Sequence, residues 1–416
     1  SGDGSSGVLA IGALAGEDAT VAGTLEAAHL NFGDGTGTLV LNHTSATTFE
    51  AALASIATGT NWTHALEHYA GDTTLTGDSS GFAGTTTVSG GSLTVAEDAA
   101  LGGSASVTGG ALIVNGTIGG PIDVASGAML GGAGVIGGDV TVETGATLAP
   151  GALTGAMGTL TVAGNLTVAQ GSTLDFGFGT PGYSTEPGES DSVHVQGNLT
   201  LEGTMLNLSD AGGLGLGVYR LFEYGGTLTE TNGGIMLGTI PASVQSEWLT
   251  IQRVTDEKHI DLVNTAGQPL NFWNANGKAS PTQRGGGSGV WSNSNEVWAD
   301  ATGHVTGAMQ PQPGFAIFAG EAGMVTVDDV DGAVLTTGMQ FAADGYRMTG
   351  DVLTLVEDTN HPAPVEIRVG VDAGSRDWVA TIENVIAGTD GLRKTGAGTL
   401  VLTASNTYTG GTEIVG

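Results

Sequence analysis

No cysteine occurs anywhere in this 416-residue chain, so neither a disulfide framework nor a thiolate metal or redox site is available to it. Basic side chains are nearly as scarce. Ten Lys and Arg face 42 Asp and Glu, for a net charge of −32, and the first of the ten is Arg220. Nucleic-acid binding runs on neutralising phosphates with Lys and Arg, so a nucleic-acid role is excluded, and an anionic membrane surface would repel the chain for the same reason. The excess acid either solvates a large surface or calls for cationic partners or divalent ions. Charged residues are 12% of the chain, about half the usual quarter. No apolar run is long enough to cross a membrane as a helix. Ser1 to Ser6 lacks a basic region, and Val8 to Leu14 is too short and Gly-broken for a signal peptide, so the chain reads as a mature segment of something longer.

What is present is glycine, 74 residues of it without a collagen triplet, together with a hydrophobic fraction of 40% that excludes simple disorder. Glycine with Thr, Val and Leu spells short strands joined by tight corners. From Gly119 to Leu208 the strands are near minimal: Val140-Thr-Val142, Leu160-Thr-Val162, Leu166-Thr-Val168, Leu174-Asp-Phe176, Val193-His-Val195, Leu199-Thr-Leu201 and Leu206-Asn-Leu208. Apolar residues point one way and Thr, Asn, His and Asp the other. A strand this short cannot bury enough area alone, but stacked coils can, because each Val or Leu then sits on its neighbours above and below. Asn165-Leu-Thr and Asn198-Leu-Thr have the form of glycosylation sequons; an Asn at a corner before a Thr-bearing strand is the simpler account.

The chain also repeats itself. Lys394-Thr-Gly-Ala-Gly-Thr-Leu-Val-Leu402 followed by Asn406-Thr-Tyr-Thr-Gly-Gly-Thr412 has a worn copy in Leu75-Thr-Gly-Asp-Ser-Ser-Gly-Phe-Ala-Gly-Thr-Thr-Thr-Val-Ser-Gly-Gly-Ser-Leu-Thr-Val95, with Phe82 where Tyr408 stands. Both read turn, aromatic, Gly-Thr, strand, Gly-Gly, strand. The later copy closely resembles the passenger-associated repeat of bacterial autotransporters. The Trp-rich opening at Asn271-Phe-Trp-Asn-Ala-Asn-Gly277, the turn after Phe318 and the Gly345-Tyr346 strand fit the same family, so the resemblance covers residues from about 70 onward clearly and the earlier ones weakly. It implies an all-β, right-handed parallel β-helix, roughly 20 coils if each takes about 20 residues. The absence of cysteine suits a chain that crosses an outer membrane unfolded. Thr265-Ala-Gly-Gln-Pro269 is the best internal boundary, dividing a block 1–265 from a block 266–416.

Three segments depart from the repeat. Thr47 and Glu50 form a capping box, and Phe49, Leu53 and Ile56 share one helical face, which predicts a short helical insertion near 47–57. Loops at 181–190 and 278–290 are expected to project. Phe49, Trp62, Tyr183, Glu186 and Arg284 are the candidate contact residues on these excursions.

Candidate catalytic motifs are weak. His64-Ala-Leu-Glu-His68 has the H-x-x-E-H form of inverted zincins, with His64, Glu67 and His68 as possible metal ligands and base, but no long helical pattern carries it. Gly77-Asp-Ser-Ser-Gly81 lacks the glycine after the serine that a protease nucleophile motif needs. Asp328-Asp-Val-Asp-Gly332 is an acidic turn without the bidentate glutamate of a calcium loop, and Gly212-Gly-Leu-Gly-Leu-Gly217 lacks the aspartate of calcium-binding nonapeptides. No cofactor is called for. The resemblance implies a passenger displayed at the cell surface, tethered to the outer membrane through its own C-terminal β-barrel and not itself inserted. With no catalytic constellation, a non-enzymatic adhesin is expected, binding either itself or host surface and matrix molecules. A β-helix glycan enzyme and a passive stalk stay open.

Overall fold

The computed structural model of the protein describes residues 6–151, 157–182, 187–278, 285–358, 364–371 and 373–415. The helical turns among the described residues are two short 3-10 segments, Ser246–Trp248 and Ala373–Asp377. Everything else regular is strand, and most of it winds as a parallel β-solenoid.

One coil shows the plan. Ser104–Val107, Ala111–Val114 and Thr117–Ile118 follow each other across two corners. Each pairs in parallel with its counterparts one coil before and one coil after: Ser106 with Thr87 and Asp123, Leu112 with Leu93 and Leu130, Ile118 with Leu101 and Ile136. Three parallel faces therefore enclose one interior. Inside, register stacks like on like. Val88, Val107, Val124, Val142, Val168 and Leu201 form one buried column. Burying each such side chain contributes about 1.5–3 kcal/mol, which strands of three or four residues could not collect singly.

Corners need small residues because adjacent coils almost touch there. Gly110 has φ +68°, and a Cβ on it would stand 2.4 Å from the Gly91 carbonyl oxygen. At another corner the side chains of successive coils cap each other. Asp139 Oδ1 accepts from Asn165 N at 2.7 Å and Nδ2 at 3.1 Å, Asn165 Oδ1 accepts from Asn198 N at 2.9 Å, and Asn198 Oδ1 accepts from Thr227 N at 2.9 Å. The two sequon-like asparagines are thus corner residues, as their position before a Thr-bearing strand predicts.

Two expectations fail. Residues 47–57 are not helical: Thr36–Phe49 is one long strand and Ala52–Ser55 another, paired with His29–Phe32. Phe49, Ala51 and Leu53 are buried in alternation, whereas Ile56 is exposed, so the period that wins is 2. Coil length is also uneven rather than a constant of about 20 residues: the step from Ile122 to Val140 stays just under that, and others exceed it. Val140 pairs with Leu166 and Leu166 with Leu199, steps well beyond about 20 residues, because excursions lie between these strands.

The parallel winding is interrupted where Gly217–Tyr224, Leu249–Val254 and His259–Asn264 form an antiparallel set. Every residue of His259–Asn264 is buried, so both faces of this strand are covered. Tyr219 and Leu262 pack into one hydrophobic core, which runs back to Ile11; their neighbours Val218 and Val263 pack into a second, which runs on to Leu392. The second core opens with Trp273, Trp291 and Trp298 around Phe318, with ring centroids 5.1–5.9 Å apart. Parallel stacking then resumes through Gly314–Phe318, Val334–Phe341, Val365–Val369 and Leu392–Thr395.

Candidate binding surfaces

The H-x-x-E-H residues lie on a strand, Thr63–Leu75, and this alone dissolves the zinc site. On a helix His64 and His68 would be adjacent on one face; on a strand they both point inward but stand about 13 Å apart along it, with Glu67 on the opposite side. His64 Nδ1 lies 2.7 Å from Ser55 Oγ and Nε2 2.8 Å from the Gly33 carbonyl. His68 Nδ1 faces the Gly90 carbonyl at 2.8 Å and Nε2 faces Thr73 Oγ1 at 3.1 Å, a hydroxyl it shares with His43 Nε2 at 2.7 Å. Every ring nitrogen of this trio has a protein partner, and no group of three metal-binding side chains forms among the described residues. Burial pushes the His68 imidazole below its ordinary value; His43 adds to the effect, while the Gly90 carbonyl and Asp72 oppose it. The Glu67 carboxylate instead accepts from Tyr69 OH at 3.0 Å.

Of the other candidate contact residues, Phe49 is a core residue and projects nowhere. Trp62 is half-buried and stacks on the His64 ring, centroids 4.4 Å apart and planes 22° apart. Tyr183, Glu186 and Arg284 lie outside the described residues. Ser79 of the Gly-Asp-Ser-Ser-Gly stretch is a buried corner residue whose Oγ accepts from Leu53 N at 2.9 Å. Asp328 closes its own turn, with Oδ1 accepting from Val330 N at 3.0 Å.

What the fold does present is a long polar row. Register places Glu67, Thr87, Ser106, Asp123, Thr141, Thr167, Thr200 and Thr229 in successive coils on the outside of one face, half-buried to exposed. Coil spacing puts neighbours about 4.8 Å apart, so the row is a straight, evenly spaced line of hydroxyl and carboxylate groups. Ladders of outward Thr, Asn and Asp were legible in the sequence; which residues stand opposite which was not, because coil lengths vary.

A second surface was missed altogether. A groove of about 450 Å³ opens on the adjoining face, lined by Met129, Ala149, Pro150, Met157, Asp175, Gly177, Asp191, Asn207 and Ser209 among others, and by no Lys or Arg. Asp191 reaches into it from the loop side and is 7% exposed; its Oδ1 accepts from Gly158 N at 2.9 Å and its Oδ2 from Gly177 N at 2.7 Å. Burial pushes its carboxyl up from the usual range, opposed by the Gly177 and Gly158 hydrogen bonds. Asp175 is exposed and accepts from Asn207 Nδ2 at 2.7 Å.

A third polar group lies at the junction of the two cores. Arg220 Nε is 2.6 Å from Asp261 Oδ1, and His259 Nδ1 is 3.1 Å from Asp261 Oδ2. His259 Nε2 is 3.2 Å from Glu257 Oε2, and Lys278 pairs with Glu257. Burial pulls the His259 imidazole down, but Asp261 and Glu257 together outweigh it and the net shift is upward.

Two regions, residues 69–95 and 392–416, match the passenger-associated-transport-repeat family. Over 429 aligned residues the chain is 38% identical to the adhesin BmaC autotransporter of Brucella suis biovar 1 (strain 1330). The alignment takes in 97% of this chain and 11% of that protein, so the chain spans about a ninth of the length of the relative it matches.

Proposed function

This chain belongs to the autotransporter passengers, and from that premise we propose that it is a segment of a surface-displayed, non-enzymatic adhesin. The observation that carries the reading is the straight outward row from Glu67 to Thr229 on a stiff parallel solenoid. Many weak polar contacts repeated at coil spacing gain strength by multivalency without any one deep site. Its partners are a second copy on a neighbouring cell or host surface and matrix molecules. Display on the outer membrane through a C-terminal β-barrel of the same polypeptide, and the division into blocks 1–265 and 266–416, are parts of the same proposal. The relative's name as an adhesin supports the reading.

The test is surface display of the passenger with and without this segment, scored for cell aggregation and for attachment to host cells and matrix. Loss of one or both on deletion is expected. Unchanged aggregation and attachment, with surface display of the remainder verified, would overturn the adhesive reading.

A further inference from the structure

The groove over Met129 and Asp175 differs in kind from the polar row, because it is concave, partly apolar and contains two carboxylates with no cation among its lining residues. Gly177 is a buried part of its wall. A Cβ at that position would lie 3.1 Å from Asp191 Oδ2 and 3.6 Å from Ser209 Oγ, so the missing side chain leaves a seat flanked by a carboxylate oxygen and a hydroxyl. Asp175 stands two residues earlier on the same strand and the same outer face, with Asn207 and Ser209 opposite Asp175 and Gly177 in the next coil.

The unused hydrogen-bonding capacity here is mostly acceptor. Asp175 Oδ2 has no partner among the described residues, Asp191 uses one lone pair on each oxygen, and Ser209 Oγ donates to the Phe176 carbonyl at 3.3 Å, which leaves its lone pairs open. Three acceptor groups around one seat match the three N–H donors of a primary ammonium. A hard divalent cation fits less well, because it wants six or more oxygens, both Asp191 oxygens and Asn207 Oδ1 already accept from backbone N–H groups, and much of the remaining wall is apolar, with Met129, Pro150 and Met157 on it. Those apolar walls suit the methylene stem that carries a lysine ammonium. An amino sugar would instead turn ring hydroxyls against the methionines.

We propose that this groove binds the side chain of a lysine on a partner protein, its ammonium seated over Gly177 between Asp175, Asp191 and Ser209 and its stem lying against Met129 and Met157. The site deepens the adhesive reading by naming one group that the surface recognises, and it rests on that reading only for its purpose. Binding by the purified chain and attachment by cells are separate measurements, so either can fail alone.

The experiment uses the full chain with 13C-methyl methionine, titrated with a blocked Ala-Ala-Lys-Ala-Ala peptide and followed by the Met129 and Met157 methyl signals. Saturable shifts are expected, absent with the acetyl-lysine peptide. The apparent affinity should fall at least about tenfold in Asp175→Asn and in Gly177→Ala, as loss of a charge-assisted contact or of the seat requires. Asp98→Asn, which removes the same charge from an exposed corner outside both the row and the groove, should leave it unchanged. Equal binding of the acetyl-lysine peptide, equal loss in Asp98→Asn and Asp175→Asn, or silent Met129 and Met157 methyls would overturn the proposal. So would shifts produced by a glucosamine dimer and not by the lysine peptide.

Discussion

At the scale of single residues the inward face holds most of its polar groups by partnering them, although the buried Thr86 hydroxyl has no partner among the described residues, and the histidines show how. His43 and His68 both turn Nδ1 to a backbone carbonyl, and both Nε2 atoms meet the one hydroxyl of Thr73, which can donate its single proton to only one of them. This is a structural device, a way to hold two buried rings inside the coils. It has a pH signature. Because the His68 pKa is depressed in the fold, the folded state binds fewer protons than the unfolded one, and the stability this gives is present above pH about 6.5 and lost as pH falls through the depressed value. Hydrogen exchange of amides in Thr63–Leu75 should therefore speed up between pH 7 and 5.5 after correction for intrinsic rates, and less so in His68→Gln. Equal acceleration in the two proteins would remove His68 as the cause.

At the scale of elements, a coil is defined by its corners as much as by its strands. Asn165 both donates to Asp139 and accepts from the Asn198 amide, so it ties three coils together. Asn165→Ala removes the side-chain contacts at a solvent-exposed corner, where water partly replaces them, and should cost about 1 kcal/mol in denaturant unfolding. A cost near zero would mean the ladder is ornament rather than support. The strands and these corners were legible because their signals are local: an alternation of period 2, and Gly or Asn where the chain bends. The false helix at 47–57 arose from the same locality. Phe49, Leu53 and Ile56 fit a helical face, while Phe49, Ala51 and Leu53 fit a strand equally well, and the choice was made by backbone partners at Ala28 and Phe32 and on the following coil. The groove was illegible for a related reason. It exists only because Asp191 folds back across an excursion to the bare backbone of Gly177 in its own coil, and nothing adjacent in sequence announces that meeting.

At the scale of the whole molecule the chain is two hydrophobic cores joined through one small antiparallel sheet. Among the described residues no named strand of one block pairs with a named strand of the other, so side chains make the contact: Val218 and Val263 reach into the second core, Gln310 Nε2 donates to the Glu247 carbonyl at 3.1 Å, Glu296 meets Gln252, and the charged group of Arg220, Asp261, His259 and Glu257 crosses to the second block at Lys278. Asp261 is fully buried and answers two cationic groups. The upward shift of His259 means the folded state holds its proton more tightly than the unfolded chain. The stability so gained is fully present below pH about 6.5 and is lost as pH rises through the elevated folded value, opposite in sign to His68. Calorimetry should accordingly show the two blocks unfolding together near pH 6 and separating into two transitions in mild base. Asp261→Asn leaves Arg220 without its countercharge in a site it cannot easily quit, a loss of about 3–5 kcal/mol for a buried pair broken on one side. That variant should show two transitions at pH 6 as well. A single transition for Asp261→Asn at both pH values would mean that apolar packing at Val218 and Val263 couples the blocks by itself, and that the charged chain is a passenger at the junction rather than its clasp.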